Sequence, residues 1–406
     1  MLASYRRVFA HPGAAAFSLT GLVARLPISM MTLGIVLLVS ALTGSYALAG
    51  QVSAAYVVGN AAFAVLHGRL ADRFGQTRVL HADSVAFVLA TTVMLTAVLR
   101  DWALPWPHLA AAAAGVSIPQ VGAMVRARWA HLLTDPGERH TAFAFEGVAD
   151  EVVFVTGPAL VTFLSTSFAP QTGLLVALGV GTVGALALAG QRRTAPPPRP
   201  AAHVEARPPM PWGLLALLGV GFVALGSLFG ALEVATVAFA DDAGHKAFSG
   251  VMLGAFSFGS LVAGVVTGAV VVRRPALQRA RIGLGLLAVG TVLLPFLPGL
   301  GLMTVALLVT GLALAPTLVA LFSLIETSVP PGRLTEAMGL VQTGISGGIA
   351  PGAWVAGLVA DRAGGATAYA VCTVSAVLAA LAGFLVRGRR VSASARAPVD
   401  HASPSA

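Results

Sequence analysis

Residues 282–325 contain no Asp, Glu, Lys or Arg, and neither do residues 26–68 or 152–191. A surface helix of a soluble protein needs a charged face to meet water, and these runs offer none. A bilayer core about 30 Å thick takes roughly 20 consecutive apolar residues as helix. Each run is about twice that length, with turn chemistry near its middle: Thr43-Gly44-Ser45, Pro170-Gln171-Thr172-Gly173, and Pro295 to Gly299. Each therefore reads as a helical hairpin within a membrane. Only helices and closed barrels satisfy their backbone groups in lipid, and the short alternating segments of a barrel are missing.

Shorter charge-free runs at 102–125, 208–232, 247–272, 337–360 and 363–386 supply one span each. A weaker run carries His81 and Asp83 near its start. The expected spans are 14–41, 46–67, 79–99, 102–124, 142–165, 171–190, 212–240, 248–272, 280–298, 300–325, 336–359 and 366–386. Composition agrees. Of the 406 residues, 10% are charged, against about 25% for a soluble domain.

The net charge is +9, and Lys246 is the only cation that is not Arg. A nucleic-acid partner would need those cations gathered on a folded face, but they lie in short connections. With the N-terminus inside, only Arg100, Lys246 and Arg362 fall in outer loops. Cations mark the cytoplasmic side, so both termini are expected there. Ser4 to Phe9 looks slightly like a twin-arginine export signal and is read as an ordinary flank of the first span. Cys372 stands alone, so neither a disulfide framework nor a zinc site is expected. No cofactor, metal-ligand spacing, phosphate loop or nucleophile arrangement is present, so the chain does not read as an enzyme. Gly179 to Gly184 formally matches a dinucleotide fingerprint. It follows no strand and reads as a small-residue packing face.

Residues 191–211 are rich in Pro and Arg and divide the spans six and six. The expected organisation is a bundle at 1–190, a cytoplasmic linker at 191–211, a bundle at 212–386 and a disordered tail at 387–406. The halves show faint self-similarity. Gly115 and Pro119 answer Gly311 and Pro316, Arg139-His140-Thr141 answers Arg333-Leu334-Thr335, and Gly157-Pro158 answers Pro351-Gly352. The matches come in one order at a near-constant offset, which argues a duplicated six-helix unit.

The loop after span two reads Gly68-Arg69-Leu70-Ala71-Asp72-Arg73-Phe74-Gly75-Gln76-Thr77-Arg78. It resembles the signature loop of the major facilitator superfamily and departs from it at Gln76 and Thr77, where that family has cations. The loop between spans eight and nine has Arg but no Asp. The resemblance implies an all-α membrane protein, with twelve helices in two pseudo-symmetric six-helix bundles around one central site. It also implies that Asp72 meets the start of span eleven near Thr335-Glu336 and clamps the halves shut inside, with Gly68, Arg73, Gly75 and Arg78 forming the gating loop. Gly68 and Gly75 are expected to permit a tight turn and close helix approach. Gly157-Pro158 resembles part of the antiporter signature of drug-efflux members, although Leu160-Val161 replaces its second glycine pair.

Ionisable groups within the membrane are costly and functional by default. Arg25 and the pair Asp150-Glu151 sit at similar depths, roughly 13–16 Å from the inner face at 1.5 Å per residue. Arg25 is expected to pair with Asp150 or Glu151, as a protonatable relay or as a fixed ion pair. Glu146 shares the face of Asp150 nearer the cytoplasm. Glu233 is the lone acid in the membrane part of the second half. It reads as a cation or proton site, or as the outer end of a long span. Asn60, Gln51, Gln120 and Gln342 are candidates to line the cavity or to bond between helices.

The expected activity is proton-coupled export of a small, mostly apolar organic molecule by alternating access. Uptake by symport or uniport is the alternative, and a non-transporting membrane sensor or assembly partner lies further off. The expected partners are the solute, protons and the lipid bilayer, with no nucleic acid and a monomeric state. The Ala, Gly, Val and Arg bias with almost no Lys points to a bacterial inner membrane.

Overall fold

The computed structural model describes residues 2–198, 210–269, 274–329 and 334–386. All regular structure among them is helical. The expected tail at 387–406 and most of the expected linker lie outside the described residues. A short helix, α1 (Leu2–Phe9), precedes the spans. The first half continues with α2 (Ala14–Thr43), α3 (Tyr46–Phe74), α4 (Gln76–Leu99), α5 (Trp106–Ser117), α6 (Val121–Leu132), α7 (Pro136–Ser167) and α8 (Thr172–Gly190). The second half holds α9 (Trp212–Asp242), α10 (Ser249–Ala269), α11 (Ala276–Leu293), α12 (Leu300–Gly311), α13 (Leu314–Ser328) and α14 (Leu334–Leu385).

Eleven helical stretches are long and apolar enough to cross a membrane. The last contains Gly364 at φ 82° and ψ 166°, which breaks α14 into spans eleven and twelve. The chain therefore crosses twelve times. The turns follow local chemistry. Gly44, at φ 69°, ends α2 in the left-handed region, and Ser45 caps α3 by accepting from the Leu48 N–H. Asp135 caps α7, with Pro136 at its first position.

Two spans are broken. Span four is α5 and α6, interrupted around Pro119, and span ten is α12 and α13, interrupted three residues before Pro316. A proline lacks the N–H and crowds the carbonyl four residues back. The sequence placed the end of span four at residue 124, whereas its helix continues to Leu132.

Glycines show the duplication in atomic terms. A Cβ on Gly115 would lie 1.9 Å from the Tyr56 carbonyl oxygen, and one on Gly59 2.2 Å from that of Ala112. In the second half, Gly311 and Gly259 would meet the Phe256 and Leu308 carbonyl oxygens at 2.1 and 2.2 Å. Span two thus packs on span four as span eight packs on span ten. Gly157 abuts Ser29 and Gly352 abuts Ser227, repeating the contact of span one with five in seven with eleven. The outer rim is apolar and exposed: Val85, Leu89 and Val93 line one stripe of α4 at 60, 62 and 46% exposure. Lipid, not water, suits such a face.

Candidate functional site

The first half carries a buried charge network where α2, α6 and α7 meet. Arg25 Nη2 donates to Glu146 Oε2 at 2.5 Å, and Nη1 donates to Asp150 Oδ1 at 2.6 Å. Its Nε donates to the Gly21 carbonyl. Glu146 Oε1 accepts from Ser18 Oγ and Trp129 Nε1, both at 2.8 Å. Arg126 Nη2 donates to Asp150 Oδ2 at 2.5 Å. Arg25 and Glu146 are sealed, at 1% and 0% side-chain exposure, whereas Asp150 and Arg126 stand 31% and 39% open. Phe9 and Phe17 pack edge-on against Trp129 and roof the network.

Of the two partners expected for Arg25, the structure shows Asp150. The guanidinium also reaches Glu146, but not Glu151. Glu146 lies one helical turn before Asp150, so one guanidinium spans both carboxylates. Glu151 is rotated about 100° from Asp150 on the same helix. It is half-buried, and among the described residues it has no hydrogen-bond or ion-pair partner. Arg126 and Trp129 were missed because span four was ended too early. The signal was there: no breaker follows until Asp135-Pro136-Gly137.

Glu233 lies where the halves meet. Thr32 on α2 faces its carboxylate. Its Oε1 is shut away from solvent and has no hydrogen-bond partner among the described residues. Gln120 Nε2 donates to Asn60 Oδ1 at 2.8 Å, joining span four to span two beside the Pro119 break. The side chains of Gln342 and Glu336 lie outside the described residues.

In the signature loop, Gly75 ends α3 at φ 88°, a conformation glycine adopts without strain. Gly68 has open space where a Cβ would be, so the expected close approach there is not made. Asp72, Arg73 and Arg78 are exposed. Arg73 lies over the Phe74 ring at 5.1 Å. Among the described residues Asp72 has no partner, and the first side chains of span eleven are not described. Gln76 explains the departure from the family pattern. Its Nε2 donates to the Met124 carbonyl, and its Oε1 accepts from Arg128 Nε at 2.8 Å. Arg128 also binds the Leu188 and Gln191 carbonyls and Thr194 Oγ1. A cation at position 76 would face that guanidinium.

Hydrogen bonds between the halves gather at one end of the bundle, where α3 begins and the first span of α14 stops. Asp361 accepts from Ser45 Oγ, Tyr46 N and Ala47 N at 2.8, 2.7 and 2.9 Å. The Tyr46 hydroxyl donates to Asp241, and Lys246 Nζ donates to both Asp241 and Ser40 Oγ. Gly357 abuts the Tyr46 carbonyl, Gly50 that of Ala353, and Gly250 that of Pro158. At this end span two meets span eleven, and span five meets span eight, at backbone distance.

The chain matches the family model described as Major Facilitator Superfamily over residues 17–303 and again over 240–404. Among solved structures it is similar to the POT family transporter PepTSo, with TM-score 0.70, 11% identity, and coverage of 94% of this chain and 97% of the other. It is similar to the nucleoside transporter NupG, with TM-score 0.69, 14% identity and coverage of 93% and 99%. It is also similar to the human organic anion transporter MFSD10 (TETRAN), with TM-score 0.62, 18% identity and coverage of 92% and 98%. These likenesses concern the fold. No curated protein is close enough in sequence to count as a relative.

Proposed function

We propose that this chain, which belongs to the Major Facilitator Superfamily, exports a small, mostly apolar organic molecule, a drug or metabolite, in exchange for protons. The observation that carries the reading is Glu233. Its Oε1 is buried and unpartnered at the junction of the two halves. An ionised carboxylate with an unsatisfied oxygen is costly within a membrane, and a proton or an organic cation relieves that cost. Exchange of one for the other at a single central acid is antiport.

Other charged groups of the first half differ in role. Arg25, Arg126, Glu146 and Asp150 satisfy one another, so they hold the first bundle together. Glu151 is the second free acid and gives the proton a way station toward the inner face. Few charges otherwise face the pathway, which suits a neutral, amphipathic or singly cationic solute. Export is supported by Gly157-Pro158, the element that resembles part of the antiporter signature. It packs against Ser29 of span one and Gly250 of span eight. In the alternate state, Asp72 is read as the clamp on the start of span eleven. The arginine distribution supports cytoplasmic termini in a bacterial inner membrane, and a single chain contains the whole pathway, so the working unit is a monomer.

Inverted membrane vesicles with an acid interior and a pH-sensitive dye test this. A panel of lipophilic cations and neutral antibiotics is added to wild type, Glu233→Gln and Glu151→Gln. The expected result is solute-triggered proton release that Glu233→Gln abolishes and Glu151→Gln slows by about a hundredfold, as for loss of one proton-transfer group. Solute flux that ignores the gradient and survives both substitutions would make the chain a uniporter.

A further inference from the structure

Span eleven ends in Gly357-Leu358-Val359-Ala360-Asp361-Arg362-Ala363-Gly364. Span two ends in Gly68-Arg69-Leu70-Ala71-Asp72-Arg73-Phe74-Gly75. Both read Gly-x-x-Ala-Asp-Arg-x-Gly. Their final glycines share a backbone conformation, φ 88° and ψ 144° at Gly75, φ 82° and ψ 166° at Gly364. The signature is therefore present twice, once at the inner end of span two and once at the outer end of span eleven. The second copy lies at the opposite end of the molecule from the loop between spans eight and nine, where duplication of the halves would place it.

The copy at Asp361 is engaged across the halves. Asp361 caps the first turn of α3, taking the Tyr46 and Ala47 N–H groups and the Ser45 hydroxyl. Those N–H groups have no partner within the helix, and the helix dipole adds attraction for an anion. Ser45 and Tyr46 belong to one half and Asp361 to the other, so the cap bridges them. Beside it, Tyr46 also donates to Asp241, and the Lys246 ammonium lies 5.3 Å from the Tyr46 ring centre. Asp72, in the inner copy, has no partner among the described residues.

We propose that Asp361 is the outer latch of the transport cycle: its bonds to the start of span two hold the outer-closed state and break when the outer side opens. The proposal rests on the alternating-access reading. It adds that span two and span eleven carry reciprocal latches, each ending in the same motif. The bonds to Ser45 Oγ and Ala47 N are exposed and that to Tyr46 N is part-buried, so the latch can release. An exposed anion at a helix N-terminus is worth enough to shift a two-state ratio by about twofold to fivefold.

Distance measurement between spin labels tests this without substrate or gradient. Labels go on Arg100→Cys and His245→Cys, exposed positions in outer loops of opposite halves, with the buried Cys372 replaced by Ala. In reconstituted full-length protein, Asp361→Asn is expected to raise the long-distance, outer-open population by about fivefold. Ser45→Ala together with Tyr46→Phe is expected to raise it by a smaller factor, and Arg362→Gln to leave it unchanged. An unchanged distribution in Asp361→Asn overturns the latch and leaves the export reading intact. If Asp361→Asn does not accumulate, the Ser45→Ala/Tyr46→Phe pair decides by the same criterion. A shift of equal size in Arg362→Gln would also overturn it, because any disturbance of the loop would then suffice.

Discussion

The two halves share a scaffold and not a chemistry. The first holds Arg25, Asp83, Arg126, Arg128, Glu146, Asp150 and Glu151 within its spans, whereas in the second the charged groups other than Glu233 sit toward the span ends. Yet the glycine contacts at Gly59 and Gly115 recur at Gly259 and Gly311 almost to the tenth of an ångström. Backbone approach at that distance leaves room for hydrogen only, so such positions have no freedom after duplication. Polar side chains toward the interior have more, provided each buried charge finds a partner. The first half acquired a mutually paired network with Glu151 left beside it, and the second a single mid-span acid whose Oε1 has no partner among the described residues.

The largest expected effect lies in the network. Glu146→Ala strands a buried guanidinium and removes the acceptor of Ser18 and Trp129. It should cost about 3–5 kcal/mol, seen as a fall of several degrees in thermal unfolding of the detergent-solubilised protein. Adding Arg25→Met should restore much of the loss. In the second half Glu233→Ala should cost under about 1 kcal/mol, since one oxygen has no bond to lose. A collapse in Glu233→Ala as deep as that in Glu146→Ala would end the contrast between the halves.

Overpacking comes next. Gly115→Val and Gly311→Val each force a side chain into a facing backbone carbonyl, and each should cost about 1–3 kcal/mol or more. The two losses should agree within about a factor of two, the scatter usual for single sites. Indifference at one site would show that the repeat is sequence ancestry without equivalent packing. The smallest effect belongs to Asn60→Ala. It deletes one neutral interhelical hydrogen bond with Gln120, for which about 0.6 kcal/mol is typical in a membrane. A much larger loss would mean that the pair holds the Pro119 break in shape.

Much of this molecule could be read along the chain. Span positions follow from charge-free runs because lipid rejects charge at every point along a helix, a local test. The depth match between Arg25 and Asp150 was legible because rise per residue is fixed in helices. What could not be read was which carboxylate Arg25 meets first and that Arg126 joins it, since those depend on helix rotation and on where span four ends. The sequence also carried the second signature copy at Asp361 in plain letters.

The sequence by itself determined that the chain is helical, embedded in a bilayer, twelve times spanning and internally duplicated. Each of those properties rests on local hydropathy, turn residues and glycine spacing. Only the tertiary structure decided which acids are satisfied and which stand free. Read as sequence, neither Glu146 nor Glu233 has a cation within a helical turn on its own span. One is held by Arg25, Trp129 and Ser18 from two other spans, and the other keeps an unpartnered oxygen at the junction of the halves. Satisfaction of a buried charge is a property of several helices at once, fixed by how they rotate and pack, and no single segment encodes it.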